Sequence, residues 1–413
     1  MPIHGLPLNF DPIKPAHFNI EHVIRPNILA LHPYRCARDD YQEASSSTRT
    51  RTRSGTPFPP RALPPSPKSC RIRSLEPAPL PRPLAPCNQG PHRCAAWPPW
   101  RRPRLPRVGS DEVMICSCAY ASRRAREDLD DAADVRDVRG VRAGERCGVV
   151  KVPLRLTNEN GEGGEKGRFS VDVDKIKKTV AADPSIKLIF LCSPGNPTGT
   201  SIALSAVREL LEYEPFKGIV VVDEAYVDFA GDGTSAVSLV SEYANVCVLQ
   251  TLSKSFGLAA IRLGIAIAQP PLMQVLFNTK APYNISTPAA HLALAALSDS
   301  ALAAMREKVA RLIASREKLL DALAGLADVG LGPAIGGNDA NFVMVRVLSK
   351  DGSAQADNVR SEAVYKTMAE EHGVVVRFRG KEAGCEGCLR VTVGTEEENA
   401  MLVKKLREVL TLL

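Results

Sequence analysis

The chain has no apolar run that approaches the roughly 18 residues of a membrane span, so no membrane helix is expected. Residues 1–20 lack both the apolar core of a signal peptide and an Arg/Ser-rich, acid-free transit pattern, which points to a cytoplasmic protein. In that compartment the eleven cysteines are expected as thiols rather than disulfides. Cys385-x-x-Cys388 has no second pair at ligand spacing and the seven histidines show none, so no metal site is expected. Acidic residues are nearly missing from one long stretch. Residues 46–110 hold thirteen Lys or Arg, half of the 32 prolines and a single acid, Glu76. Such a segment cannot bury enough apolar surface to offset its ordering entropy and is expected to be disordered. It also carries the net charge: the chain is +7 and this segment +12, which leaves −5 (7 minus 12) for the rest. With only Phe58, Trp97 and Trp100 as stacking groups in it, no nucleic-acid partner is expected.

What is present is globular. The hydrophobic fraction is 44% and 413 residues exceed one ordinary core, so two domains are expected. The segment Ile186-Lys-Leu-Ile-Phe-Leu-Cys192 closes in Ser193-Pro-Gly-Asn-Pro-Thr-Gly-Thr200, a buried strand running into a turn. Gly218-Ile-Val-Val-Val-Asp-Glu-Ala-Tyr226 is a second such strand. Val246 to Leu249 is a third apolar run, leading into Thr251-Leu-Ser-Lys-Ser-Phe-Gly-Leu-Ala-Ala-Ile-Arg-Leu-Gly264. These runs alternate with helical segments such as 203–213, the pattern of a parallel sheet covered on both faces. Ligands of such sheets sit at the carboxyl ends of the strands, where Asn196, Asp223, Tyr226 and Lys254 all fall. A lysine in a small-residue loop after a buried strand is expected to be desolvated, partly neutral and able to form Schiff bases. Arg262, eight residues on, has the bidentate geometry to hold a phosphate nearby. Arg390 lies inside the apolar run 389–393, where a charge without an anionic partner is costly.

These segments resemble the pyridoxal-phosphate aminotransferases of the aspartate-aminotransferase fold, and most closely the histidinol-phosphate aminotransferase family. The resemblance rests on Arg25-Pro-Asn-Ile-Leu-Ala-Leu31 with Pro33-Tyr-Arg-Cys-Ala-Arg-Asp-Asp40, Ser193–Thr200 and Val221-Val-Asp-Glu-Ala-Tyr-Val-Asp-Phe229. It continues through Thr251–Gly264, Lys280-Ala-Pro-Tyr-Asn-Ile-Ser286, Asn341-Phe-Val-Met-Val345 and Leu389-Arg-Val-Thr-Val-Gly-Thr395. It implies an α/β transferase of fold type I, with a mostly parallel sheet in a large domain (148–325) and a small α/β C-terminal domain (326–413). An N-terminal arm (1–45) would pack across a homodimer. The implied catalytic residue is Lys254. The implied cofactor ligands are Asp223 for the pyridine nitrogen, Tyr226 and Asn196 for the ring oxygen, and Ser253, Arg262 and Ser110 for the phosphate. Arg377 and Arg390 would hold the anionic end of the substrate. The implied reaction moves an amino group between L-histidinol phosphate and 2-oxoglutarate in histidine biosynthesis. Residue chemistry alone leaves open an aromatic aminotransferase, a phospho-amino-acid decarboxylase, or a family member whose cofactor site is defective.

The resemblance covers about 18–43 and then 148 onward. Residues 46–147 do not match the family, whose acidic, Asn-rich and aromatic motifs are missing there. Yet Val108-Gly-Ser-Asp-Glu-Val-Met114 resembles its phosphate cradle. Islands of family sequence inside alien sequence have the form of translation out of register. Sequencing the transcript is expected to reveal a frame or splice difference across 46–146; a transcript encoding these residues as written rejects this reading.

Overall fold

The computed structural model describes residues 14–33, 105–107, 149–157, 168–281 and 283–413, with 105–107 as backbone only. All of them belong to one compact unit, Met1–Pro33 with Pro103–Leu413. The expectations placed on 1–13, 34–104, 108–148 and 158–167 lie outside the described residues. Short helices α1 (Ile20–Val23) and α2 (Pro26–Leu29) precede strand β1 (Leu105–Arg107) and the paired strands β2 (Arg155–Thr157) and β3 (Arg168–Ser170). Then come α3 (Val173–Ala182), β4 (Leu188–Cys192), α4 (Leu204–Leu211), β5 (Ile219–Asp223), β6 (Val246–Thr251) and β7 (Gly264–Ala268). Three helices follow: α5 (Pro270–Thr279), α6 (Thr287–Ala296) and α7 (Asp299–Ala324). The chain closes with β8 (Leu331–Ile335), β9 (Phe342–Val347), α8 (Asn358–Glu370), β10 (Arg377–Phe378), β11 (Cys388–Thr392) and α9 (Glu396–Leu412).

The first sheet has the order β1-β7-β6-β5-β4. β4, β5 and β6 are parallel, as their unbroken apolar runs predict; β7 runs antiparallel to β6, which a mostly parallel sheet allows. The period-two alternation of the strands splits their side chains between two cores. Val220, Val222, Val248, Ile265 and Ile267 pack with Ile176 and Val180 of α3 and Val207, Leu210 and Leu211 of α4. Val221, Cys247, Leu249 and Ala266 face Leu272, Val275 and Leu276 of α5, together with Val23, Ile24 and Leu29. The described part of the N-terminal arm therefore lies on its own chain's sheet, because its three apolar residues complete the second core. β1 pairs with the edge of β7 inside the stretch expected to be disordered. Pro106 is tolerated there because an edge strand leaves one row of backbone groups unpaired.

The second sheet, β10-β11-β9-β8, is antiparallel. Val343, Val345, Val347, Leu389 and Val391 turn towards Leu319 and Leu323 of α7, Val364 of α8, and Leu402, Leu406 and Val409 of α9. The glycine-rich stretch 330–338 contains strand β8. Gly332 and Pro333 hid it, and both are acceptable because β8 is an edge strand. The long helical pattern of 287–323 breaks before Asp299 into α6 and α7, bent by 71°, where Ser298 caps α7 on the Ala301 amide. α9 opens with a complete capping box between Thr395 and Glu398. Among the described residues no single helix is long and apolar enough to cross a membrane. Leu211, fully buried in the first core, tests the packing: Leu211→Ala is expected to cost about 2–5 kcal/mol, read as a lowered urea midpoint at unchanged slope.

Candidate active site

The parallel register sets Cys192 beside Asp223 and Asp223 beside Leu249, so the loops leaving β4, β5 and β6 emerge side by side. The loop after β4 is folded on itself. Ser193 N donates to Asp223 O (2.9 Å), Gly199 N to Gly195 O (2.8 Å), and Ser193 Oγ accepts from Ile202 N (2.9 Å). At the end of β5, Asp223 Oδ1 accepts from Ala225 N (3.1 Å). Tyr226 is buried at the start of the 3₁₀ turn Val227–Phe229. After β6, Thr251 Oγ1 donates to Ser253 Oγ (2.8 Å) and accepts from Ser253 N (3.1 Å). Gly257 turns the loop back at φ +67°, with its N–H on Lys254 O (3.0 Å). Ser255 Oγ donates to Asp228, which ties this loop to the Tyr226 turn.

Lys254 is exposed, not desolvated as expected: β6 ends at Thr251 and the turn carries the lysine out past the sheet. Its Nζ lies 5.1 Å from the centre of the Tyr226 ring. That ring meets Phe342 edge-on at 5.3 Å, and the Arg390 guanidinium lies 4.9 Å from the far partner, Phe342. Arg390 Nη1 donates in turn to Asn196 Oδ1. Lys254, Tyr226, Arg390 and Asn196 are thus brought into one continuous set, with Asp223 and Ser253 on the same sheet edge. Arg377 stands level with Arg390 on β10. Residues directly opposite in an antiparallel pair point to the same face, and like charges placed so repel. Arg262 is exposed and donates to Ala259 O (3.2 Å) within its own turn, in a left-handed conformation (φ 51°) unusual for a residue other than glycine. Ser110 lies outside the described residues.

Four residues of the site carried no functional reading in the sequence. Phe342 was legible only as part of the motif 341–345, yet it joins the two sheets' contributions. Asp339 gave no signal because its partners are distant. Its N–H donates to Gly199 O (2.7 Å), and its Oδ2 accepts from Ser201 N (2.8 Å) and Arg168 Nη2 (2.9 Å). Gly336 lies in the same junction, and a Cβ there would stand 2.0 Å from Thr198 O. Glu224 is the fourth. It is 2% exposed, and burial, with Asp223's charge adding to it, pushes its carboxyl up to about 7. Cys385 and Cys388 are buried against Phe169, Ile335 and Met344, and burial pushes the Cys388 thiol up to about 12.

Residues 142–406 match the family described as aminotransferase class I and II. The histidinol-phosphate aminotransferase of Schizosaccharomyces pombe is 37% identical, covering 95% of this chain and 98% of its own. That of Saccharomyces cerevisiae is 36% identical with the same coverage. The chain belongs to the class I and II aminotransferases, in the histidinol-phosphate aminotransferase family. The fold agrees with it. The structure of the Sinorhizobium meliloti family member, solved with pyridoxal 5′-phosphate, superposes with a TM-score of 0.58 at 22% identity, over 74% of this chain and 76% of that one.

Glu224 gives this site a pH signature. Its folded-state value, about 7, lies above the ordinary 4.5, so its stabilising contribution is full below about pH 4.5 and is lost as pH rises through about 7. Between those values the melting temperature of the wild type is expected to fall relative to that of Glu224→Gln; parallel curves reject the assignment.

Proposed function

We propose that the chain is a histidinol-phosphate aminotransferase that uses pyridoxal 5′-phosphate to move an amino group between L-histidinol phosphate and 2-oxoglutarate, with imidazole-acetol phosphate and glutamate as products, in histidine biosynthesis. The observation that carries this reading is the set Lys254–Tyr226–Phe342–Arg390–Asn196, with a second arginine level with Arg390. The cofactor has an aldehyde, a pyridine nitrogen, a ring oxygen and a phosphate. The strand ends offer an amine (Lys254), a carboxylate (Asp223), a phenol with an amide (Tyr226, Asn196), and a hydroxyl with a guanidinium (Ser253, Arg262). The donor set fits the group.

When bound, the cofactor supplies the electron sink. Lys254 is the residue that holds it and then moves the proton off the substrate Cα. Asp223, an anion, keeps the ring nitrogen protonated. Asn196 accepts from Arg390 through Oδ1, so its NH₂ is the end that donates to the ring oxygen alongside Tyr226. Arg377 and Arg390 hold the substrate phosphate, whose charge offsets their mutual repulsion. The same pair takes the distal carboxylate of 2-oxoglutarate.

The assembly we infer is a cytoplasmic homodimer with a large lobe (148–325) and a small one (326–413). Leu294 (70% exposed) and Leu297, three residues apart at the end of α6, share an exposed apolar face that a second copy would cover. The first test is the visible spectrum of the protein mixed with the cofactor. A band is expected that disappears in Lys254→Ala and responds to L-histidinol phosphate at far lower concentration than to L-tyrosine. Arg390→Met should raise the substrate KM roughly tenfold or more, the loss of a charge-assisted hydrogen bond being about 1.5–3 kcal/mol. A band that survives Lys254→Ala, or an equal response to L-tyrosine, overturns the reading.

A further inference from the structure

We propose that Glu224 is a positioning residue for the cofactor site, tying together through one buried carboxylate the strand exit that carries Asp223 and Tyr226 and the strand exit that leads to Lys254. This rests on the reading that those three residues hold the cofactor.

Glu224 follows Asp223 directly and points the other way, into the protein. Its Oε2 accepts from Ser235 Oγ (2.7 Å) and from Gln250 Nε2 (2.9 Å), and its Oε1 accepts from Ala236 N (2.5 Å). Its own N–H donates to Leu249 O (2.8 Å). Gln250 belongs to β6, four residues before Lys254. The exit of β5 is therefore fixed to the exit of β6 twice, by backbone and by side chain, and to the 3₁₀ turn Ala236–Ser241 as well. A side chain that served packing alone would be better apolar, because burying a carboxylate is costly unless donors meet it. Here three donors from two other segments converge on it. Asp223 is the neighbouring charge, and its anion opposes the ionisation of Glu224. A negative Glu224 in return adds to the potential that attracts protons at the cofactor ring.

The test compares holoenzymes. Glu224→Gln keeps the shape and removes the charge; the Ser235 hydroxyl and the Gln250 amide can both turn to meet the new NH₂. The cofactor dissociation constant is expected to rise about tenfold, a change of roughly 1.4 kcal/mol. The pH midpoint of the visible cofactor band is expected to fall, because a nearby anion no longer supports the protonated form. Ser235→Ala keeps the charge and removes one donor. It should weaken cofactor binding less and leave the midpoint in place. Val364→Ala, buried in the core of the second sheet, lowers stability without touching the site and should change neither. Wild-type affinity and midpoint in Glu224→Gln overturn the proposal, as does an equal effect of Val364→Ala. If Glu224→Gln does not fold, Ser235→Ala decides, and unchanged cofactor affinity in it overturns the proposal. Lys254→Ala separates the two levels. Loss of its band with a wild-type Glu224→Gln rejects only the role of Glu224, whereas a band that persists in Lys254→Ala rejects the underlying site.

Discussion

The site depends on the parallel register of β4, β5 and β6. Parallel strands leave a sheet at the same edge, so three loops that are far apart in sequence become neighbours there. The register is held by side chains that have nothing to do with chemistry. Val220, Val221 and Val222 are buried on alternating faces, and a slip by one residue would exchange the two cores. The same slip would move Asp223 away from Leu249 and break the alignment of the exits. Apolar packing therefore specifies where the polar groups stand.

The second sheet completes the set by the same alternation. Leu389 and Val391 turn into the helices α7–α9, which leaves Arg390 on the opposite face, against Phe342 and Asn196. Arg316 of α7 reinforces the junction: its Nη1 donates to the carbonyls of Phe229 (3.2 Å) and Ala340 (2.9 Å), one beside Tyr226 and one beside Phe342. Asp339 does the same for the loop after β4. Contacts between the sheets are thus made largely with backbone carbonyls and amides, whose positions are set by the elements that carry them.

This division explains what the sequence made legible. Strands β4, β5, β6 and β11 were visible because burial on both faces, or on one, writes a continuous or alternating apolar pattern. The convergence of Asn196, Asp223, Tyr226 and Lys254 followed from their places at strand ends. What did not follow was anything fixed by long-range backbone contact. Asp339 reads as an ordinary turn aspartate until the loop after β4 lies against it. The exposure of Lys254 could not be inferred from the apolar runs around it, because those runs end before the turn does. β8 was hidden by Gly332 and Pro333, which an edge position permits, and the reversal of β7 has no signature in a short apolar run at all.

The level placement of Arg377 and Arg390 has a consequence for selectivity by charge. Two guanidinium groups on one face form a site of formal charge +2. A monoanion offsets one of these charges, whereas a phosphate ester in its dianionic form offsets both. Phosphate monoesters take their second negative charge near pH 6. On the proposed reading, the lower pH limit for tight substrate binding is then set by the ionisation of the ligand and not by any group of the protein.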